Sequence, residues 1–177
     1  MATPLTPAGV KVQGNLKRIF VPSLDTDAPS LATLTDVDAL EITNILYADT
    51  GWYQKENTTG AAPARVGSTK IWQQFGRSNE SFSGDLRYTV DPQAAAASDG
   101  KKAWEEFPPG TVGFVFEAPG IDVDADLAVG DFGRGIPVEL GERNITGDTT
   151  DEFAEFTVVQ GIIVTAPGAG DLVAIVA

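Results

Sequence analysis

Residues 81–90 read SFSGDLRYTV. Phe82, Leu86, Tyr88 and Val90 fall on one face with Gly84, and Ser81, Ser83, Asp85, Arg87 and Thr89 fall on the other. A side-chain period of two marks a strand with one face in a core and the other in polar surroundings. Residues 110–118, GTVGFVFEA, repeat the pattern with Val112, Phe114 and Phe116. Between them lies the one clear helix pattern, SDGKKAWEEF at 98–107. Ser98 or Asp99 caps it, Ala103, Trp104 and Phe107 supply an apolar stripe, and Pro108 and Pro109 stop it. The preceding DPQAAAA (91–97) is expected to add a helical turn, with Asp91 as cap and Pro92 at the first helical position.

Outward from this centre, LKRIFVP (16–22), LEITNILY (40–47), IPVEL (136–140), EFAEFTVVQGIIVTAP (152–167) and DLVAIVA (171–177) are further β-rich runs. Gly161, in the middle of one of them, marks a bulge or bend. The tally is about seven or eight strands and one helix, with none of the β-α alternation that builds parallel sheets. The expected class is mainly β, a β-sandwich or barrel carrying one flanking α-helix. Pro4, Pro7, Gly9 and Gly14 make residues 1–16 an extended N-terminal arm, which leaves 17–177 as a single β-domain. Residues 48–67, ADTGWYQKENTTGAAPARVG, read as a long turn-rich loop.

The chain of 177 residues is 42% hydrophobic and 21% charged, ordinary for a folded protein and too apolar for a disordered one. It contains no cysteine and no histidine. Disulfides, thiolate nucleophiles, histidine general bases and zinc sites on nitrogen and sulfur ligands are therefore excluded. No apolar run is long enough to span a membrane, and MATPLTPAGV has no charged start followed by an apolar stretch. The expectation is synthesis in the cytoplasm, with no membrane anchoring.

Charge is uneven. Residues 1–90 carry 9 acids and 8 bases, and residues 91–177 carry 16 acids and 4 bases, so −1 and −12 sum to the net −13. Lys11, Lys17 and Arg18 give residues 1–24 a basic character with no acid, suited to pairing with the acidic half of a neighbouring copy. Specific binding to a phosphate backbone needs clustered Lys and Arg, and this composition argues against it.

The densest acidic stretch is IDVDADLAVGDFGRG (121–135), with Asp122, Asp124 and Asp126 at alternate positions. As a calcium loop starting at Asp122 it offers Leu127 where the turn glycine belongs and Gly133 where the bidentate glutamate belongs. A glycosidase reading requires two carboxyl groups facing each other across a cleft, which alternating aspartates on one loop do not establish. The stretch is read as an acidic turn before a strand, with no catalytic, cofactor or metal site.

The order of parts resembles the major tail proteins, the tail tube proteins of long non-contractile-tailed bacteriophages. The resemblance runs through RIFVPSL, ALEITNILYADTGW, STKIWQQFGRSNESFSGDLRYTVDPQ, the short helix, GTVGFVFEAPG, AVGDFGRGIPVELGE and the long C-terminal strand. It implies a structural virion protein that self-assembles into stacked hexameric rings, the conduit for double-stranded DNA on its way into the host. A tape measure protein and tail terminator or distal tail proteins are the further partners it implies. A tail terminator, decoration protein or secretion-tube-like protein is the alternative on a related fold. Candidate lumen-facing residues are Asp85, Arg87, Glu117 and Glu155. Candidate inter-subunit residues are Lys11, Lys17, Arg18, Trp52 and Tyr53, with the arm and the 49–66 loop as inter-ring connectors.

Overall fold

The computed structural model describes residues 9, 11–48, 50–61, 73–95, 98–147, 150, 152, 154–166 and 171–177. Most of the 1–16 arm, part of the 49–66 loop and the end of DPQAAAA lie outside these residues. The elements are β1 (Leu16–Val21), α1 (Leu31–Leu34), β2 (Leu40–Glu41), β3 (Tyr53–Ala61), β4 (Gln73–Phe82), β5 (Leu86–Thr89), α2 (Asp99–Glu106), β6 (Val112–Pro119), β7 (Phe132–Thr146), β8 (Thr157–Val164) and β9 (Val173–Ala174). The fold is mainly β, as expected.

One antiparallel sheet runs β2-β1-β6-β7-β8-β5, with β9 added to the start of β7. The outer edge of β5 is not left open. Residues 45–48 and 50–51 lie along it through a Leu46–Tyr88 bridge, with Tyr47 N–H donating to the Arg87 carbonyl at 3.0 Å and Thr89 N–H to the Ile45 carbonyl at 3.4 Å. Because that segment follows β2, the sheet curls until its two ends meet in a barrel-like closure, which removes an aggregation-prone edge.

Alternation along the strands separates two apolar clusters. The inner one gathers Phe20, Val115, Ile136, Val138, Leu140, Val158, Leu86 and Tyr88, and α2 closes it with Ala103 and Phe107. The outer one gathers Ile19, Val21, Phe116 and Ala118 under α1, Leu127 and Ile175. Glycine makes the closest packing possible at two strand positions. A Cβ on Gly133 would sit 2.1 Å from the Phe116 ring, and one on Gly113 would sit 2.4 Å from the Phe20 ring.

α2 forms where the apolar stripe predicts, with Ser98 at its N-cap, although the Ser98 hydroxyl makes no capping bond. Its C-terminal carbonyls are held by Arg143, whose guanidinium donates to the Trp104 and Phe107 carbonyls and lies over the Trp104 ring. A cation among the last carbonyls of a helix is favourable both as a donor and against the helix dipole. DPQAAAA is a correction: Asp91 accepts from the Gln93 N–H at 3.0 Å and closes a turn, not a helix.

Three further departures have physical causes. SFSGDLRYTV is split, ending β4 at Phe82 and beginning β5 at Leu86, because the chain crosses over residues 51–52 there. Gly51 and Gly84 meet backbone to backbone, and Trp52 and Ser83 exchange two hydrogen bonds of 2.8 Å. The irregularity expected at Gly161 exists, and there two residues of the partner strand β7, Gly141 and Glu142, oppose the single Gly161. The turn-rich reading of 48–67 is wrong over Tyr53–Ala61, which is strand β3 paired with β4 in a two-stranded hairpin. Its side chains after Tyr53 are exposed on both faces, so no apolar alternation announces it.

The crossing has a testable consequence. A Cβ on Gly51 would lie 2.4 Å from the Gly84 carbonyl oxygen and 2.6 Å from its nitrogen, both backbone atoms that cannot rotate away. Gly51→Ala is expected to cost about 1–3 kcal/mol, the range for overpacking. Gly84→Ala, whose nearest neighbour is 3.8 Å away, is expected to cost less. Equilibrium unfolding of the pair ranks them.

Candidate functional site

β3 and β4 form a two-stranded sheet of their own, apart from the main sheet. β3 and β4 pair from Tyr53–Phe82 at the root to Ala61–Gln73, with an irregularity where Gly76 and Arg77 oppose Thr58. At a strand rise of about 3.3 Å per residue the described pairing extends roughly 27 Å. Phe75, 81% exposed, stands on it.

The root is fastened to the barrel by charge. Glu117 on β6 is 1% exposed and lies between two guanidinium groups: Arg18 Nη2 at 2.9 Å, and Arg134 Nε and Nη2 at 3.1 and 2.7 Å. Each arginine then presents its flat face to an aromatic ring of the hairpin root. Arg18 lies 4.8 Å from the Trp52 ring centre and Arg134 4.8 Å from that of Tyr53. One carboxylate thus orients two cations and two rings, a stacking that arginine performs and lysine does not. Further along the hairpin, exposed Lys55 pairs with the buried carboxylate of Glu80 at 3.2 Å.

Burial pushes the Tyr53 hydroxyl up to about 12, with the nearby Glu80 carboxylate adding to it. Burial also pushes Tyr88 up to about 12. A tyrosine whose folded pKa is raised is favoured in its protonated form. Its contribution is fully present below the unfolded value near 10 and is lost as pH rises from there toward 12. Stability should therefore fall through this window, and denaturant midpoints measured between pH 9 and pH 12 check it.

Tyr88 also joins a buried polar network absent from the sequence reading. Its hydroxyl donates to Gln160 Oε1 at 3.1 Å, and Gln160 Nε2 donates to the Phe107 and Gly141 carbonyls, each at 3.0 Å. Gln160 is fully buried with its amide satisfied, tying β8 to β5, the end of α2 and the irregular turn of β7. The signal was a glutamine inside the apolar run VVQGIIV. The signal for Arg134 was a charge between two glycines in FGRGIPV.

The residues singled out as lumen-facing separate into two groups. Asp85 and Glu155 are exposed. Arg87 and Glu155 come together with Tyr47 and Thr146 around a cavity of about 660 Å³, where the Tyr47 hydroxyl donates to Glu155 at 3.0 Å. Glu117, by contrast, is paired and buried within its own subunit. Of the inter-subunit set, Lys17, Arg18 and Tyr53 are all less than 8% exposed in the single chain. Lys17 Nζ donates to the Ala125 carbonyl at 2.6 Å and pairs with Glu41 at 3.3 Å, inside its own subunit. Lys11 is exposed, and Trp52 is 38% exposed.

The aspartate ladder is a turn. Asp122 accepts from the Asp124 N–H at 2.9 Å, and Asp131 accepts from the Ala128 N–H at 2.8 Å. The turn docks on the base of the arm, with Val123 N–H donating to the Gly14 carbonyl and Gly120 N–H to that of Asn15. Among the described residues no cluster of acidic side chains has metal-binding geometry. Asparagine keeps the side-chain acceptor that such turns use. Replacing Asp122, Asp124 and Asp126 together by Asn is expected to change stability by less than about 1 kcal/mol and to leave the metal content, measured by elemental mass spectrometry, unchanged.

The chain matches the model of a protein family described as phage tail tube protein, over residues 3–175. It belongs to that family. No curated protein matches it. A tail tube protein is a structural component of the virion tail, and its work is oligomeric assembly. Among the described residues no helix is long and apolar enough to cross a membrane.

Proposed function

We propose that this tail tube protein assembles with itself into hexameric rings that stack into a hollow tube for DNA delivery. The observation that carries the reading is the β3–β4 hairpin. A two-stranded hairpin is marginal by itself, and this one exposes every described side chain of β3 beyond its first residue. Unpaired strand edges of this kind are stabilised when a neighbouring copy lies against them. A second patch suits lateral contact: Val129, Phe132, Leu172 and Val176 are all more than 40% exposed around the β7–β9 pairing.

A net charge of −13 suits a conduit, because an acidic wall repels phosphate and leaves DNA free to slide. Asp85 and Glu155 are the exposed acids proposed for that wall, with Arg87 beside Glu155. Lys11 and Trp52 are proposed as contacts between copies. A tape measure protein and terminator or distal tail proteins complete the proposed partners.

Electron microscopy of the purified protein at high concentration tests this. Rings or tubes of uniform width with sixfold end-on symmetry are the expected result, and a monomer at every concentration would overturn it.

A further inference from the structure

The acidic turn and the base of the arm extend the β1–β6 pairing beyond the ends of both strands. β1 and β6 pair as far as Leu16 and Pro119. Past them, Gly120 N–H donates to the Asn15 carbonyl at 2.8 Å and Val123 N–H to the Gly14 carbonyl at 3.1 Å. Asn15 N–H in turn donates to the Val12 carbonyl at 3.0 Å, so residues 12–15 form a closed turn. Gly14 has φ +77° and Gly120 φ +87°, a backbone region that favours glycine, so both sides of this corner are built for the bend. Ile121 and Leu127, on either side of the aspartate ladder, pack into the outer cluster and pin the turn there.

We propose that Lys17 is the positioning residue for the arm: it holds the 120–126 turn in place, and the turn holds residues 12–15. The Lys17 side chain is only 7% exposed, and its ammonium reaches the Ala125 carbonyl at 2.6 Å and the Glu41 carboxylate at 3.3 Å. A charge taken out of water needs close partners. The turn therefore cannot lift away without depriving a buried ammonium of an acceptor. Asp122, Asp124 and Asp126 are exposed around this cation and add a negative field that solvent screens. The carbonyl bond, more than the ladder, carries the clasp.

A segment that leaves the barrel through a fixed corner has less conformational freedom to lose when it meets a partner. The corner is a property of the single chain, whereas its use between copies rests on the self-assembly proposed above. The basic residues near the start of the chain thus divide their work. Lys17 serves its own chain, and Lys11 stays exposed.

Lys17→Met keeps most of the side-chain stem and removes the charge. Hydrogen exchange read by NMR on the full chain tests it. The variant is expected to speed exchange of the Gly120 and Val123 amides at least about tenfold, while the amides of β5, β7 and β8 keep their wild-type rates. A role in stability alone would speed all of them together. Gly14→Val, which puts a β-branched side chain at φ +77°, breaks the corner from the arm side. It is expected to release the same two amides with Lys17 in place. The chain has no cysteine, and Val12 is 60% exposed, so Val12→Cys carries a single nitroxide label. That label is expected to broaden the resonances of residues 120–127 in the otherwise wild-type chain and to lose this focus in Lys17→Met. Unchanged exchange at Gly120 and Val123 in Lys17→Met, or a label that broadens no particular region, overturns the proposal. If these results hold and no tube forms, the assembly reading falls and the corner stands.

Discussion

Glu117→Ala is expected to destabilise the protein by about 3–5 kcal/mol, the range for removing one partner of a buried ion pair. The carboxylate is 1% exposed and sits between Arg18, whose side chain is 8% exposed, and Arg134, at 24%. Without it two guanidinium groups repel each other where water hardly reaches, and they lose the acceptor that aligns them over Trp52 and Tyr53. Urea titration of the wild type and variant measures the loss. Glu117→Leu combined with Arg18→Met should recover much of it, because a buried ion pair replaced as a unit by apolar groups costs little. Arg134 can then turn toward solvent. An unchanged midpoint for Glu117→Ala would show that the root is not held this way.

Phe107→Ala is expected to have a comparable effect, about 3–5 kcal/mol, as for other large aromatic truncations in cores. The ring is 1% exposed and meets Phe20 edge to face at a 4.9 Å centroid distance and Tyr88 at 5.9 Å. It is the plug that α2 puts into the open end of the inner cluster. Its carbonyl also accepts from Gln160 and Arg143, so a cavity beneath it would loosen the polar network as well. Phe107→Leu, which fills part of that space, should cost distinctly less. Thermal and denaturant unfolding of the two variants check the order, and equal losses would mean that the site collapses onto any smaller residue.

These two residues also mark how far the sequence could be read. Phe107 was legible as the last member of an apolar stripe that two prolines terminate, and the structure puts it in the core. Glu117 was not. At the end of GTVGFVFE it falls on the face of Val115 and could equally be a solvated strand end, and nothing local says that Arg18, 99 residues earlier, and Arg134 come to meet it. The same limit explains Lys17, Arg18 and Tyr53. Charges near a terminus and an aromatic in a polar stretch read as surface until non-local partners bury them.

The hairpin shows the opposite failure. Residues 53–61 gave no strand signal because hydrophobic alternation appears only when one face is buried, and here both faces lie open. Wherever one face packs, the sequence by itself determined the answer: the mainly β class, the β5 alternation, and α2 with its stop all follow from local periodicity and proline, whereas β6, buried on both faces with Val112 exposed, does not follow its apparent alternation. The tertiary structure alone decided the closure of the sheet through residues 45–48 and 50–51 and the burial of Glu117 between two arginines. Each depends on which distant segments meet, and a period of two residues carries no information about that.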